Sequence, residues 1–116
     1  LLITHDLAVV ASVADRVAVM YAGEIVEEAP VDELFEDPQH PYTQGLIRAL
    51  PDISASRGSL HSIPGRVPPP QVPPPGCQFT PRCDYAKDAC WEELPILSAK
   101  GTHSLRCINP QQFKAL

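Results

Sequence analysis

Proline sets the organisation of this chain. Of 116 residues, 14 are proline, and seven of those stand between Pro64 and Pro75. Proline has no N–H to donate and its ring blocks a helix interior, so neither a helix nor a central strand can cross this run. A stiff polyproline arm is expected from Pro64 to Gly76, acting as a spacer rather than as an SH3-type ligand. A boundary is therefore expected near residues 52–75, and composition agrees. Residues 1–63 carry ten acidic side chains against three arginines, a formal −7, and residues 64–116 carry four against six basic, a formal +2. All four cysteines lie in the second part.

The net charge of −5 argues against nucleic acid as a partner, because that recognition needs a basic stripe. No apolar run approaches the roughly 20 residues of a membrane span. No basic segment precedes an apolar one at the start, so no signal peptide is read. The chain opens on Leu1-Leu2-Ile3-Thr4 with no initiator Met, and a fragment of something longer is expected.

The first part alternates strand and helix. Leu1–Thr4 has the wholly apolar look of a buried parallel strand. Asp6 is placed to cap a helix in which Leu7, Val10, Ala11 and Ala14 recur at helical spacing. Arg16–Tyr21 and Glu24–Val26, joined through Ala22-Gly23, predict a hairpin. Pro30 opens a helix over Val31–Glu36 and Pro41 another over Tyr42–Leu50, which Pro51 stops. Residues 52–60 read as a polar loop. After the arm, one helix is expected near Tyr85–Glu93, and the rest of the tail looks too irregular to hold itself by packing.

His5 would then stand at the C-terminal end of a buried strand, the edge of an open α/β sheet where ligands bind. There an imidazole can donate to a phosphate oxygen as charge develops. By itself a histidine at a strand end is a weak signal. Its surroundings are stronger. Leu-Leu-Ile-Thr-His-Asp-Leu, followed by Val13-Ala-Asp-Arg-Val-Ala-Val-Met-Tyr-Ala-Gly-Glu-Ile-Val-Glu27, strongly resembles the end of an ABC-transporter ATP-binding subunit. His5 matches that family's switch histidine and Asp15-Arg16 its "DR" pair. The block from Gly23 to Leu46, above all His40-Pro41-Tyr42-Thr43, is similar to the oligopeptide/dipeptide importer branch, as are Ile63-Pro64-Gly65 and the cysteine tail.

The resemblance implies an α/β fold: the C-terminal end of a P-loop ABC ATPase core, then a Pro-rich arm and a small irregular Cys-rich extension. Residues 1–51 would be the end of the nucleotide-binding domain, 52–76 the linker and 77–116 the extension. It implies that His5 contacts the ATP γ-phosphate when two subunits, identical or homologous, close into a sandwich with Mg. Membrane permease subunits would be direct partners and an extracytoplasmic peptide-binding protein an indirect one, on the cytoplasmic face of the inner membrane. The P-loop, the acidic Mg-binding strand end, the water-activating glutamate and the ABC signature are absent from this sequence, and phosphoryl transfer depends on all of them together. The parent subunit is expected to be an ATPase and this chain alone is not. No independent role for His40 or His61 follows from the residues, and structural or solvent-exposed places are expected for both.

Cys77, Cys83, Cys90 and Cys107 are spaced C-x5-C-x6-C-x16-C. Disulfides would suit a secreted domain, whereas the first part reads as cytosolic. Zinc is possible, though the usual close C-x₂₋₄-C pair is missing. A [4Fe–4S] cluster takes four thiolates and is less bound to that spacing. Four unliganded cysteines stay open as well. The resemblance favours the cluster, because Pro75–Cys83, Cys90, Pro95, His103 and Leu105–Cys107 match the importer family's tail, some of whose members hold one. Asp84 departs from the family, which has proline there. Arg82 and Arg106, beside cysteines, could offset the charge of such a cluster. His103 is expected to pack or hydrogen-bond, and Trp91 to join the apolar shell. The competing function is a free-standing Fe–S or zinc module for electron transfer or interaction, or a metal-free regulatory tail, and neither needs Thr4-His5-Asp6 or His-Pro-Tyr-Thr.

Overall fold

A computed structural model describes residues 1–50, 62–69 and 75–113. The elements in chain order are α1 (Leu7–Val13), β1 (Arg16–Tyr21), β2 (Glu24–Pro30), α2 (Val31–Glu36), α3 (Pro41–Arg48), a 3₁₀ turn (Thr80–Arg82), α4 (Asp88–Glu92), β3 (Ser98–Lys100) and β4 (His103–Leu105). One antiparallel sheet runs in the order β1-β2-β4-β3. The fold is thus a small α/β arrangement, and strands from both sides of the proline run share its sheet.

The hairpin forms where expected. Ala22 and Gly23 both have positive φ, 48° and 83°. A two-residue turn of that hand matches the twist of the strands it joins. On β1 the burial alternates strictly, with Val17, Val19 and Tyr21 inward. On β2 it does not. Val19 pairs with Glu27 and Met20 with Ile25, so Val26 is an extra residue in a bulge. Val26 and Glu27 are in consequence both buried.

Val17, Val19, Tyr21, Val26, Ala29, Leu34 and Phe79 form the core. Phe79 belongs to the tail and completes an aromatic cluster, with ring centroids 5.2 Å from Tyr21 and 5.4 Å from Tyr42. Tyr21 and Tyr42 lie 4.7 Å apart. Offset and edge-on pairs at such distances add about 1 kcal/mol each beyond the area they bury.

Four expectations need correction. Leu1–Thr4 is exposed and forms no strand, because a strand needs a hydrogen-bonded neighbour and none of the described residues pairs with it. The tail helix is shorter than expected. Ala86 N–H closes a turn onto the Cys83 carbonyl, and Lys87 is extended, so the helix starts only at Asp88. The tail is not too irregular to pack: β4 pairs with β2 (Glu27 with Leu105, Glu28 with Ser104), and Arg106 N–H donates to Val26 O at 2.8 Å. Two strands of three residues are too short to show a periodicity, so pattern alone misses them. Trp91 is 47% exposed rather than part of an apolar shell.

Asp6 caps α1 as expected, accepting from Ala8 and Val9 N–H at 3.0 and 3.3 Å. Pro30 precedes α2 and Pro41 opens α3, as read. Among the described residues no helix is long and apolar enough to cross a membrane. The polar loop, His61 and part of the proline arm lie outside the described residues. The described part of the arm does more than space. Ile63 packs on the core, and Arg82 donates to the carbonyls of Pro64 and Ile63 at 2.9 and 3.1 Å.

Candidate metal centre and its supports

The four cysteines reach one place by different local routes. Cys77 precedes the 3₁₀ turn and Cys83 caps its end; Cys90 sits within α4, and Cys107 follows β4. Gly76 lets the first of these elements close on the third. A Cβ there would collide with the Cys90 carbonyl oxygen, which is backbone and cannot swing aside. Cys77 N–H donates to that same oxygen at 2.8 Å, and Thr80 Oγ1 donates to it at 3.1 Å.

All four cysteines line one cavity, together with His40, Phe79 and Pro95. Its walls are almost wholly apolar, and its volume is about 20 Å³ measured at the centre of a water-sized sphere. None of the four is in a disulfide. Burial pushes the Cys107 thiol up to about 11, and the other three thiols add to the rise. Burial likewise raises Cys83, with Cys77, Cys90 and Asp84 adding to it. Cys83 and Cys107, buried beside the other thiols on an apolar cavity, resist ionisation until a cation joins them. Backbone N–H groups already face three of the sulfurs: Tyr85 on Cys83, Asn109 on Cys107, and Lys87 on Cys90 at 3.4 Å. In its chemistry this donor set fits a thiolate-ligated group. Among the described residues, however, no three His, Cys, Asp or Glu side chains are grouped so as to hold a single metal ion.

His40, for which the sequence offered no role, is 1% exposed. Its Nδ1 accepts from Tyr42 N–H at 3.0 Å and so caps α3. Burial lowers its pKa to about 4, which keeps the ring neutral. Pro41 supplies the first-turn φ, and Tyr42 joins the aromatic cluster. The His-Pro-Tyr run is therefore a helix start with a buried cap.

The anchor beneath this helix start is Glu27, which is fully buried. Its Oε1 accepts from Gln39 N–H at 2.7 Å and from His103 Nε2 at 2.6 Å, and its Oε2 accepts from His40 N–H at 3.0 Å. One carboxylate thereby ties β2, the segment before α3 and β4 together. His103 has the hydrogen-bonding role expected of it. Glu27 was missed, because one Glu in an acid-rich stretch gives no signal of a partner 76 residues away. The arginines beside the cysteines serve as straps. Arg82 also donates to Tyr21 Oη at 3.3 Å, and Arg106 donates to the carbonyls of Ile25 and Pro95, each at 3.0 Å. Both guanidiniums thus hold backbone carbonyls.

His5 is exposed in the bend before α1 and does not line the cavity. The two predicted sites are thus not brought together.

A family model described as "Oligopeptide/dipeptide transporter, C-terminal region" matches residues 26–90. The chain belongs to this family. The chain is 52% identical over 108 residues to the oligopeptide transport ATP-binding protein AppD of Bacillus subtilis, covering 92% of this chain and 33% of that protein. It is 46% identical over 110 residues to the dipeptide transport ATP-binding protein DppD of Haemophilus influenzae, covering 95% and 33%. It spans about a third of the length of the curated relatives it matches. Within the oligopeptide/dipeptide transporter C-terminal region, the match takes in Glu27, His40, Cys77, Cys83 and Cys90, while Cys107, His103 and His5 lie outside it.

Two outcomes follow for this region. Glu27→Ala and His103→Ala should each destabilise the fold by about 3 kcal/mol, because each leaves a buried polar partner uncompensated. A double-mutant cycle by urea unfolding, followed through Trp91, should return a coupling of about 2 kcal/mol; additive losses would contradict the pairing. His40 gives a pH signature. An unfolded histidine titrates near 6.5 and the folded one at about 4, so above 6.5 neither state is charged. As pH falls through that window the unfolded chain binds a proton that the folded chain refuses. Stability should therefore drop by up to about 3 kcal/mol between pH 6.5 and 4. His40→Asn, which can still cap α3, should remove that part of the slope in urea titrations at pH 7, 5.5 and 4.

Proposed function

We propose that this chain is the C-terminal part of the ATP-binding subunit of an ABC importer that couples ATP hydrolysis to uptake of di- and oligopeptides. The observation that carries the reading is the family match, joined to relatives whose names are oligopeptide and dipeptide transport ATP-binding proteins. In this reading residues 1–51 close the nucleotide-binding domain, 52–76 are the linker and 77–116 the extension. His5 is the switch histidine, donating to the γ-phosphate of Mg-bound ATP across an interface with a second ATP-binding subunit. Its exposure supports a target outside this chain. Leu1, Leu2 and Ile3 are exposed, and α1 buries no residue. Apolar surface of that kind is ordinarily covered by further protein, here the remainder of the ATPase core. The subunit is peripheral on the cytoplasmic face of the membrane, docked on permease subunits, with a peptide-binding protein as an indirect partner.

Within this reading Cys77, Cys83, Cys90 and Cys107 hold a [4Fe–4S] cluster. The support is chemical: four free thiols on one apolar cavity, three of them facing backbone N–H donors, with the ionisation of Cys83 and Cys107 held back by burial. The role is structural, closing an extension with little core of its own.

The test of the transport reading is ATP turnover by the intact subunit with its permease partners. His5→Ala should lower turnover about 10²-fold, the usual cost of deleting one donor to a developing anion, while ATP binding survives. Unchanged turnover would refute the role of His5. For the metal, the anaerobically purified subunit should be brown, with iron and sulfide in equal amounts. Stoichiometric zinc in a colourless protein would establish the zinc alternative.

A further inference from the structure

The His40 ring has one nitrogen too many for a helix cap. Nδ1 accepts from Tyr42 N–H, so the neutral ring carries its proton on Nε2. Nε2 is buried and has no hydrogen-bond partner among the described residues. Leaving such a donor unmade costs about 1–3 kcal/mol. Asn, Asp or Ser would cap the helix equally well without that cost. The ring lies on the wall of the four-cysteine cavity. Two other polar side chains on that wall already have acceptors. Thr80 Oγ1 donates to the Cys90 carbonyl, and Asn109 Nδ2 donates to the Tyr85 carbonyl at 2.9 Å. His40 Nε2–H, by contrast, is a buried donor without an acceptor among the described residues.

We infer that His40 Nε2–H donates a hydrogen bond to a sulfur of the iron–sulfur group held by Cys77, Cys83, Cys90 and Cys107, and so sets its reduction potential. This rests on the reading that the four cysteines hold such a group. His40 is a positioning and tuning residue, with its nitrogen directed to a sulfur and not to iron. One-electron reduction by an external reductant adds one negative charge to the cluster and moves no proton. A donor aimed at sulfur stabilises the more negative form, so it raises the potential. Glu27 fixes the backbone of His40 through its N–H, and Tyr42 fixes the ring. The donor is therefore held from both ends before any group enters.

The test uses the intact, anaerobically purified subunit and its His40→Asn variant, titrated with dithionite and followed by electron paramagnetic resonance. His40→Asn keeps the cap and removes Nε2. The variant should keep its iron and become harder to reduce by a factor of about ten in equilibrium constant, about 59 mV for one electron. A second measurement needs no variant. Wild-type protein with ¹⁵N-labelled histidine rings should show nitrogen and exchangeable-proton couplings to the reduced cluster. An iron-loaded variant with unchanged potential, or labelled wild type without those couplings, overturns the role of His40 and leaves the cluster standing. Wild-type subunit that holds zinc, or no metal, overturns the cluster reading and this inference with it.

Discussion

The Glu27 carboxylate is the constraint on which the other contacts depend. It is buried without residue, and a charge so placed is tolerated only when its lone pairs are taken up. Two backbone donors ahead of α3 and the His103 ring take them up. Because those donors come from two stretches of chain remote from β2, satisfying one side chain fixes where the helix start and the tail hairpin lie. A bulge in β2 turns the side chain inward at all. Without the extra residue Val26, strict alternation could not bury two consecutive positions on one strand.

From that anchor the rest of the tail is reeled onto the sheet by polar straps. Arg82 holds the described part of the arm, Arg106 holds β2 and Pro95, and Gln44 donates to the carbonyls of Pro38 and Gln111 at 2.9 and 2.7 Å. Gln111 N–H returns to Gln39 O at 3.1 Å. Most of these bonds end on main-chain carbonyls, which a residue-type pattern cannot show. Among the described residues, only Phe79 brings the tail a large apolar side chain into the buried core. A lobe held mainly by hydrogen bonds is one in which a group bound by four thiolates would add much.

Legibility in the sequence followed the range of the interaction. The Ala22-Gly23 hairpin, the Asp6 cap, the helix after Pro30 and that after Pro41 rest on contacts within a few residues, and composition and spacing revealed them. The motifs likewise pointed to the family, because His-Pro-Tyr-Thr is a contiguous string and the cysteines recur within one stretch of the tail. The Leu1–Thr4 strand was misread because an apolar run states a preference and not a partner. The three-residue strands of the tail were invisible because pairing with β2, rather than propensity, makes them strands. Arg82 and Arg106 were read from their cysteine neighbours in sequence, whereas their bonds run to carbonyls distant along the chain.

By itself, then, the sequence determined the tight hairpin turn, the Asp6 cap and the helices that follow Pro30 and open at Pro41, all of which depend on residue type and short spacing. Only the tertiary structure decided that the acid-rich hairpin and the cysteine tail share one sheet. Only it decided that Glu27 is buried, that His40 caps a helix while keeping a spare donor on the cysteine cavity, and that His5 lies apart from that cavity. The physical reason is the same in each case. A carboxylate, an imidazole or a short strand gains its role from a partner that chain folding brings near, and sequence separation hides that partner from any local pattern.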